Sequence, residues 1–193
     1  DAEDVVNLVR TRLKFDTREK RFPRKETLYD LYSRSVNTIT PLKDLLALDY
    51  PHYIEIEPDI QTVHNGYIHY KRQHNLMDYD DLLVNFALLL KKDETIRAVL
   101  SDRYKYIMVD EYQDTNRVQA ELVKLLAFKH RNIMVVGDDA QCIYSFRGST
   151  IKNIMTFPQE FPDCKVVKLE ENFRSTQPIL NLTNEILKRG TVS

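Results

Sequence analysis

The chain has 193 residues, of which 42% are hydrophobic and 30% are charged, and its formal net charge is -1. This length fits one large domain or two small ones, and the balanced charge excludes a globally basic protein, so any nucleic-acid binding must come from a local patch. The spacing of Cys142 and Cys164 indicates neither a zinc site nor a disulfide framework, and no apolar run approaches the roughly 20 residues of a membrane span. With no signal peptide visible, we expect a cytoplasmic protein.

The N-terminal half of the chain predicts helices. Apolar residues recur at helical spacing in a first segment (Val5, Leu8, Val9, Leu13) and in a second (Leu28, Leu31, Tyr32, Val36). Thr40 followed by Pro41 is typical of an N-cap with proline at the first helical position. Residues 53–57 alternate and predict a short strand, and a helix is expected from Pro58 to about His74.

A further helix is predicted after Asp78. Asp78 is a suitable N-cap, and Asp81 falls in the first turn, near the positive end of the helix dipole. The buried face of this helix is predicted to carry Leu82, Leu83, Phe86, Leu89 and Leu90. A short helix is expected from about residue 94 to 100. We place the boundary between the helical part and an α/β part near residue 78.

From Tyr104 onward, three short apolar runs each end in a polar cluster. The runs are 106–109, 133–136 and 166–169, and helical patterns follow at 116–129, 151–157 and 179–186. Strand, polar loop and helix in repetition predict a parallel sheet with crossover helices, and continuous apolar runs are typical of strands buried on both faces. The predicted fold class is α/β, preceded by an all-helical subdomain.

The polar clusters at the strand ends are the candidate functional residues, because ligands of open α/β sheets bind outside the carboxyl ends of the strands. Asp110 is well placed to hold a Mg²⁺, usually through water. Glu111 could polarise an attacking water, which is the Walker B logic of nucleotide hydrolases. A solvated turn after a strand is the alternative interpretation of these two acids.

The second and third clusters add candidate phosphate and base contacts. Gln141 can sense a phosphate oxygen. Tyr144 and Phe146, with Arg147 nearby, have the composition that base stacking on single-stranded DNA requires, although either ring could instead be core. Arg174 can reach a γ-phosphate as a charge-stabilising finger, or it forms a surface salt bridge.

Together, these residues resemble the UvrD/Rep branch of superfamily-one DNA helicases. Residues 110–115 (DEYQDT) are similar to motif II of that family, 137–148 to motif III, 169–176 (LEENFRST) to motif IV, and 78–83 (DYDDLL) to the segment before motif II. The resemblance implies a helical insertion subdomain at 1–77. It also implies that 78–193 form the C-terminal portion of the first RecA-like motor domain, with a partial parallel sheet.

The resemblance also implies roles for the matching positions at an ATP and Mg²⁺ site. Asp110 would bind Mg²⁺, and Glu111 would be the general base. Arg174 would contact the γ-phosphate. Gln113 and Gln141 would couple the nucleotide site to DNA.

Other matching positions would contact the adenine and the DNA. Phe173 would lie near the adenine, where tyrosine is usual in the family. Tyr144 and Phe146 would stack on bases of single-stranded DNA, with Arg147 close by. Phe146 stands where many members have tryptophan.

The phosphate-binding loop of such a motor is missing from the sequence. That loop needs Gly-x-x-x-x-Gly-Lys-Ser/Thr, and none of the four glycines (Gly66, Gly137, Gly148, Gly190) fits it. We therefore expect this chain to be the middle of a longer helicase that moves 3′–5′. Its expected partners are single-stranded and duplex DNA and the remaining helicase domains of the longer protein. No membrane partner is expected. The chain alone is expected not to hydrolyse ATP. Alternatives are the motor part of a helicase–nuclease subunit and a non-catalytic DNA-binding module.

Overall fold

The computed structural model describes residues 1–15, 22–142 and 151–190. Helices α1 (Ala2–Arg12), α2 (Lys25–Thr38), α3 (Leu42–Asp49), α4 (Glu57–Gln73), α5 (Tyr79–Lys92) and α6 (Glu94–Arg103) come first. Strand β1 (Ile107–Val109), helix α7 (Arg117–Leu126), strand β2 (Ile133–Val135) and helices α8 (Ile151–Glu160) and α9 (Gln177–Gly190) follow. Mostly helical, with a small parallel sheet, the chain has the predicted α/β character.

Strands β1 and β2 pair in parallel, with Ile107 opposite Ile133 and Val109 opposite Val135, and α7 is the crossover between them. Val109, Ile133 and Val135 pack against a core formed by Tyr112, Ala120 and Phe157. Side chains on the other face are open to solvent, since Met108 is 72% and Met134 is 52% exposed. The prediction that these strands are buried on both faces is therefore wrong for the described part of the chain.

The third predicted strand is also absent. Residues 164–172 form no regular secondary structure, and Val166, Val167 and Leu169 are 68%, 66% and 85% exposed. A strand needs an edge that accepts its backbone hydrogen bonds, and an apolar run in a sequence does not show whether that edge is available. Helix α9 follows this open segment, and its apolar residues Ile179, Leu182 and Ile186 are exposed as well.

Helices α1 to α4 enclose one hydrophobic core, and we call them the helical unit. Its buried residues are Val6, Val9, Phe15, Leu28, Leu31, Tyr32, Leu42, Leu45, Leu46, Ile60, Val63 and Tyr67. Pro41 precedes the first helical residue of α3, one position earlier than predicted. The strand predicted at 53–57 is wrong, because Pro51–Ile56 form a 3₁₀ helix that leads directly into α4.

A second core lies between α5, α6 and α7. Ala87 and Leu90 of α5 pack there against Val118 and Leu122 of α7. The predicted buried face of α5 is only partly correct. Leu83 and Leu90 contribute to this core, whereas Leu82, Phe86 and Leu89 are exposed. Because α5 is apolar around most of its circumference, its sequence does not select the side that α7 covers.

A buried charge cluster joins α4 to the start of α5. Asp78 caps α5 as predicted: its Oδ1 accepts the Asp81 amide at 2.8 Å, and Asp81 Oδ2 accepts the Asp78 amide at 3.0 Å. Lys71 Nζ donates to Asp78 Oδ2 at 2.6 Å and to Asp81 Oδ2 at 2.5 Å, and Tyr67 Oη donates to Asp78 Oδ2 at 2.6 Å. Burial acts to raise the pKa of Asp78, but hydrogen bonds from Lys71 and Tyr67 outweigh it, and the pKa lies below its ordinary value.

Among the described residues, no helix has both the length and the apolar character that crossing a bilayer requires.

Candidate functional site

The first site element is the turn that follows β1, residues 111–116, which we call the Glu111 turn. Glu111 has a left-handed backbone (φ 50°, ψ 44°), which is uncommon outside glycine, asparagine and aspartate. A 3₁₀ turn at Tyr112–Asp114 follows, and the Tyr112 amide donates to the Val136 carbonyl at 2.9 Å. The chain therefore reverses at the carboxyl end of β1 and presents the exposed carboxyl groups of Asp110 and Glu111.

Gln113 is the buried centre of this turn, with 1% of its surface exposed. Its Nε2 donates to Glu111 Oε2 at 2.6 Å, and its Oε1 accepts the Asp138 amide at 3.0 Å. One neutral side chain thus ties the Glu111 carboxylate to the segment after β2. Because the bond occupies one carboxylate oxygen, it orients the group and leaves the other oxygen available to a water.

Gly137 is required by the close approach of Gln113. A Cβ atom at this position would lie 2.5 Å from Gln113 Oε1 and 2.8 Å from Ile154 Cδ1. In the sequence, Gly137 is recognisable only as a turn residue after a strand. The structure adds that a side chain here would displace the amide that holds Glu111.

The segment after β2 continues the same hydrogen-bonded chain. Gln141 is exposed, and its Nε2 donates to Asp138 Oδ2 at 2.8 Å, while Asp138 Oδ1 accepts the Ala140 amide at 3.0 Å. The structure therefore brings Glu111, Gln113 and Gln141 together, through Asp138. Sequence reasoning assigned no role to Asp138, whose Gly-Asp-Asp context after a strand was the available indication.

The third predicted cluster is not brought to this site. Phe173 is 92% exposed, and Asn172 Oδ1 accepts the amides of Arg174 at 2.9 Å and Ser175 at 2.8 Å. Within the described ranges, the hydrogen bonds of Arg174 stay in its own turn and do not connect it with Glu111. This follows from the missing third strand, because no ladder fixes the end of that run next to β1 and β2.

Three predicted DNA contacts, Tyr144, Phe146 and Arg147, lie outside the described residues. For metal ligation, the described residues contain no group of three or more His, Cys, Asp or Glu side chains that could hold an ion. Mg²⁺ demands less, because it is usually bound through one or two carboxylates, substrate phosphates and several waters. The exposed carboxylate of Asp110, whose Oδ1 also accepts the Glu111 amide at 3.0 Å, fits that pattern.

Comparison with known proteins gives consistent matches. Residues 1–162 match the family model described as UvrD/REP helicase N-terminal domain. An ATP-dependent DNA helicase PcrA from Staphylococcus aureus is 41% identical over 132 residues, which cover 68% of this chain and 18% of that protein. Its Staphylococcus epidermidis counterpart is 42% identical over 132 residues, with the same coverage of both proteins.

These matches establish the family, although they cover only a small part of the length of each relative. The chain spans less than a fifth of the length of the PcrA proteins, at 18%. The family model, in contrast, covers both the helical unit and the Glu111 turn within residues 1–162. The chain belongs to the UvrD/REP helicase N-terminal domain family.

Proposed function

We propose that this chain is the part of an ATP-dependent DNA helicase that carries the proposed base for ATP hydrolysis and a single-stranded DNA contact. The longer helicase, meaning a protein that combines this chain with a phosphate-binding loop and the remaining helicase domains, would move 3′–5′ on single-stranded DNA and unwind duplex. The PcrA relatives are named as ATP-dependent DNA helicases, which supports the activity.

The observation that carries the proposal is the hydrogen-bonded chain from Glu111 through Gln113 and Asp138 to Gln141. It joins the carboxyl ends of two parallel strands, where nucleotide sites of α/β sheets lie. An acid that serves only as a solvated turn has no need of a fully buried amide to orient it. The buried Gln113 therefore favours a chemical role for Glu111 over the solvated-turn alternative.

Each residue has a defined part in this proposal. Glu111 would accept a proton from the attacking water, and Gln113 would hold the carboxylate in position for it. Asp110 would hold Mg²⁺, which when bound supplies charge neutralisation for the phosphates. Arg174 would contact the γ-phosphate and Phe173 the adenine once segment 164–176 is placed beside the sheet.

Gln141 would report the state of the nucleotide to the DNA contact. Its side chain is exposed, and Asp138 ties it to the buried amide of Gln113. A shift of Glu111 on phosphate release would therefore reach the start of segment 143–150, where the proposed DNA-stacking residues lie.

The first test is ATP turnover by the isolated chain of 193 residues. We expect no DNA-stimulated hydrolysis, because the sequence contains no Gly-x-x-x-x-Gly-Lys-Ser/Thr loop to hold the phosphates. Phosphate release would be measured with and without single-stranded DNA, with full-length Staphylococcus aureus PcrA as the positive control. Turnover by the isolated chain would contradict this expectation.

Base stacking by Tyr144 and Phe146 is tested in the longer helicase. Tyr144→Ala and Phe146→Ala should each weaken single-stranded DNA binding by roughly 1–3 kcal/mol, or about 5- to 150-fold in Kd, because each removes a surface on which a base stacks. Fluorescence anisotropy with a labelled oligonucleotide measures the change. Tyr106→Ala, at an exposed tyrosine just before β1, is the matched control. Unchanged affinity in both variants would assign the rings to the core.

A further inference from the structure

A buried amide pair connects the helical unit to the Glu111 turn. Asn37 lies near the end of α2, and Asn116 closes the turn and caps α7. Asn116 Nδ2 donates to Asn37 Oδ1 at 2.8 Å, across 79 residues of sequence. The two residues are 7% and 8% exposed, so this is a desolvated polar contact between the two parts of the chain.

Both amide groups are held in one orientation. Asn37 Nδ2 donates to the Ser33 carbonyl at 3.0 Å and to Asp80 Oδ1 at 2.8 Å, while Asn116 Oδ1 accepts the Gln119 amide at 2.8 Å. Rotation of either amide would leave a buried donor or acceptor unpaired, which is unfavourable. The pair therefore holds the end of α2 against the start of α7.

The position of Asn116 is transmitted to Glu111 by a short hydrogen-bonded turn. Thr115 Oγ1 donates to the Tyr112 carbonyl at 2.6 Å, and the Thr115 amide donates to the same carbonyl at 3.2 Å. The Asp114 amide in turn donates to the Glu111 carbonyl at 2.9 Å. A displacement of Asn116 therefore reaches the backbone of Glu111 within one turn.

Contacts from the α/β part hold the other side of this turn. Asn153 Nδ2 of α8 donates to the Thr115 carbonyl at 2.9 Å, and the ring of Tyr112 packs edge-on against Phe157, with ring centroids 5.6 Å apart. The Glu111 turn is thus held between α8 on one side and α2 on the other. Asn37 supplies the hydrogen bond from the α2 side.

We infer that Asn37 is a positioning residue for the proposed base Glu111 and acts on it through Asn116. The inference rests on the proposed function and extends it: the placement of the helical unit and the geometry of the hydrolysis site are coupled through this amide pair. Movement of the helical unit relative to α7 would shift the backbone of Glu111, and its carboxylate would move with it.

The test measures ATP turnover of two variants in the longer helicase. Asn116→Ser keeps a side-chain oxygen that caps α7 but removes the donor to Asn37. Asn37→Leu removes the other half of the pair. We expect each to lower the DNA-stimulated kcat by roughly 10- to 100-fold with the KM for ATP unchanged, because a displacement of about 1 Å in a catalytic group can cost about 100-fold. The double variant should lose no more than the worse single variant.

Two comparisons separate positioning from a loss of folded protein. Gln119→Ala removes Gln119 Oε1, which accepts the backbone N–H of Asn116 at the same helix start. It leaves the Asn37–Asn116 pair intact, so the kcat of this variant should stay close to wild type. Asn37→Asp places a carboxylate against Asp80 and should lower kcat. Adding Asp80→Asn restores a donor opposite that carboxylate and should recover turnover. Failure of this rescue, or full additivity in the double variant, would overturn the inference.

A measurement on the isolated chain distinguishes failure of the inference from failure of the proposed function. Hydrogen exchange of the Asp114 and Thr115 amides reports the turn directly and needs no nucleotide. Asn116→Ser should speed their exchange while the amides of α4 keep their protection; unchanged exchange would overturn the inference. A wild-type longer helicase without DNA-stimulated turnover would refute the proposed function. In that case, hydrogen exchange of the Asp114 and Thr115 amides would still show whether the Asn37–Asn116 pair holds the Glu111 turn.

Discussion

Glu111→Gln in the longer helicase should lower ATP turnover by roughly 10²- to 10⁴-fold, the contribution typical of a general base. The amide that replaces the carboxylate cannot accept the proton of the attacking water. It retains an oxygen that accepts from Gln113 Nε2, so the bond that orients the side chain in the wild type, 2.6 Å long, is preserved. Steady-state phosphate release measures the loss, and titration with a fluorescent nucleotide should show unchanged binding.

Glu121→Gln is the matched control for this substitution. Glu121 is a half-exposed residue of α7 whose Oε1 forms an ion pair with Lys91 at 3.1 Å. Removing its charge should leave turnover close to wild type. If Glu111→Gln retained wild-type turnover, Glu111 would be removed from the role of base, and its attachment to Gln113 would be structural.

Lys71→Met should destabilise the chain by roughly 3–5 kcal/mol, the usual result of removing one partner from a buried ion pair. The side chains of Lys71 and Asp78 are only 10% and 8% exposed, and Lys71 also forms an ion pair with Asp81. The expected fall in Tm is roughly 6–20 °C for a chain of this size, measured by calorimetry or circular dichroism. Lys91→Met, which breaks the solvent-exposed pair with Glu121, should cost less than about 1 kcal/mol.

The pH dependence of this difference provides a second check. Hydrogen bonds in the cluster hold the pKa of Asp78 below its ordinary value of 3.8, so the ionised form contributes stability that is present above that pH. This contribution is lost as the pH falls through the lowered pKa. The stability difference between wild type and Lys71→Met should therefore be largest near neutral pH and shrink below about pH 4. A difference that is constant into acid would mean that Lys71 acts through packing alone.

Local signals in the sequence were sufficient for most of the helices. The cap at Asp78 and the apolar spacing of α1 and α2 depend on neighbours within one or two turns, and such patterns survive whatever packs around them. The strand predicted at 166–169 depends on a remote edge, and the burial of α5 depends on which side α7 covers. Neither property is contained in the segment itself, so the strand prediction was wrong and the predicted buried face of α5 was only partly correct.

The residues of the candidate site show the same difference between local sequence patterns and properties set by tertiary packing. Asp110 and Glu111 were recognisable because a strand that ends in acids is a local pattern. The burial of Gln113 and the space demanded at Gly137 arise from the meeting of β1, β2 and α8, so residue type alone could not indicate them. Asn37, 79 residues from its partner Asn116, carried no sequence signal, because a single asparagine near a helix end is ordinary.

The long sequence separation of the amide pair also affects the order in which this chain folds. The core of the helical unit and the core between α5, α6 and α7 each form from helices that are close along the chain. Closing a loop costs conformational entropy that rises with the length of the loop, so contacts between residues far apart in the sequence tend to form late in folding. We therefore expect the Asn37–Asn116 bond to form after both cores, and the helical unit to be able to detach as one cooperative block while remaining folded.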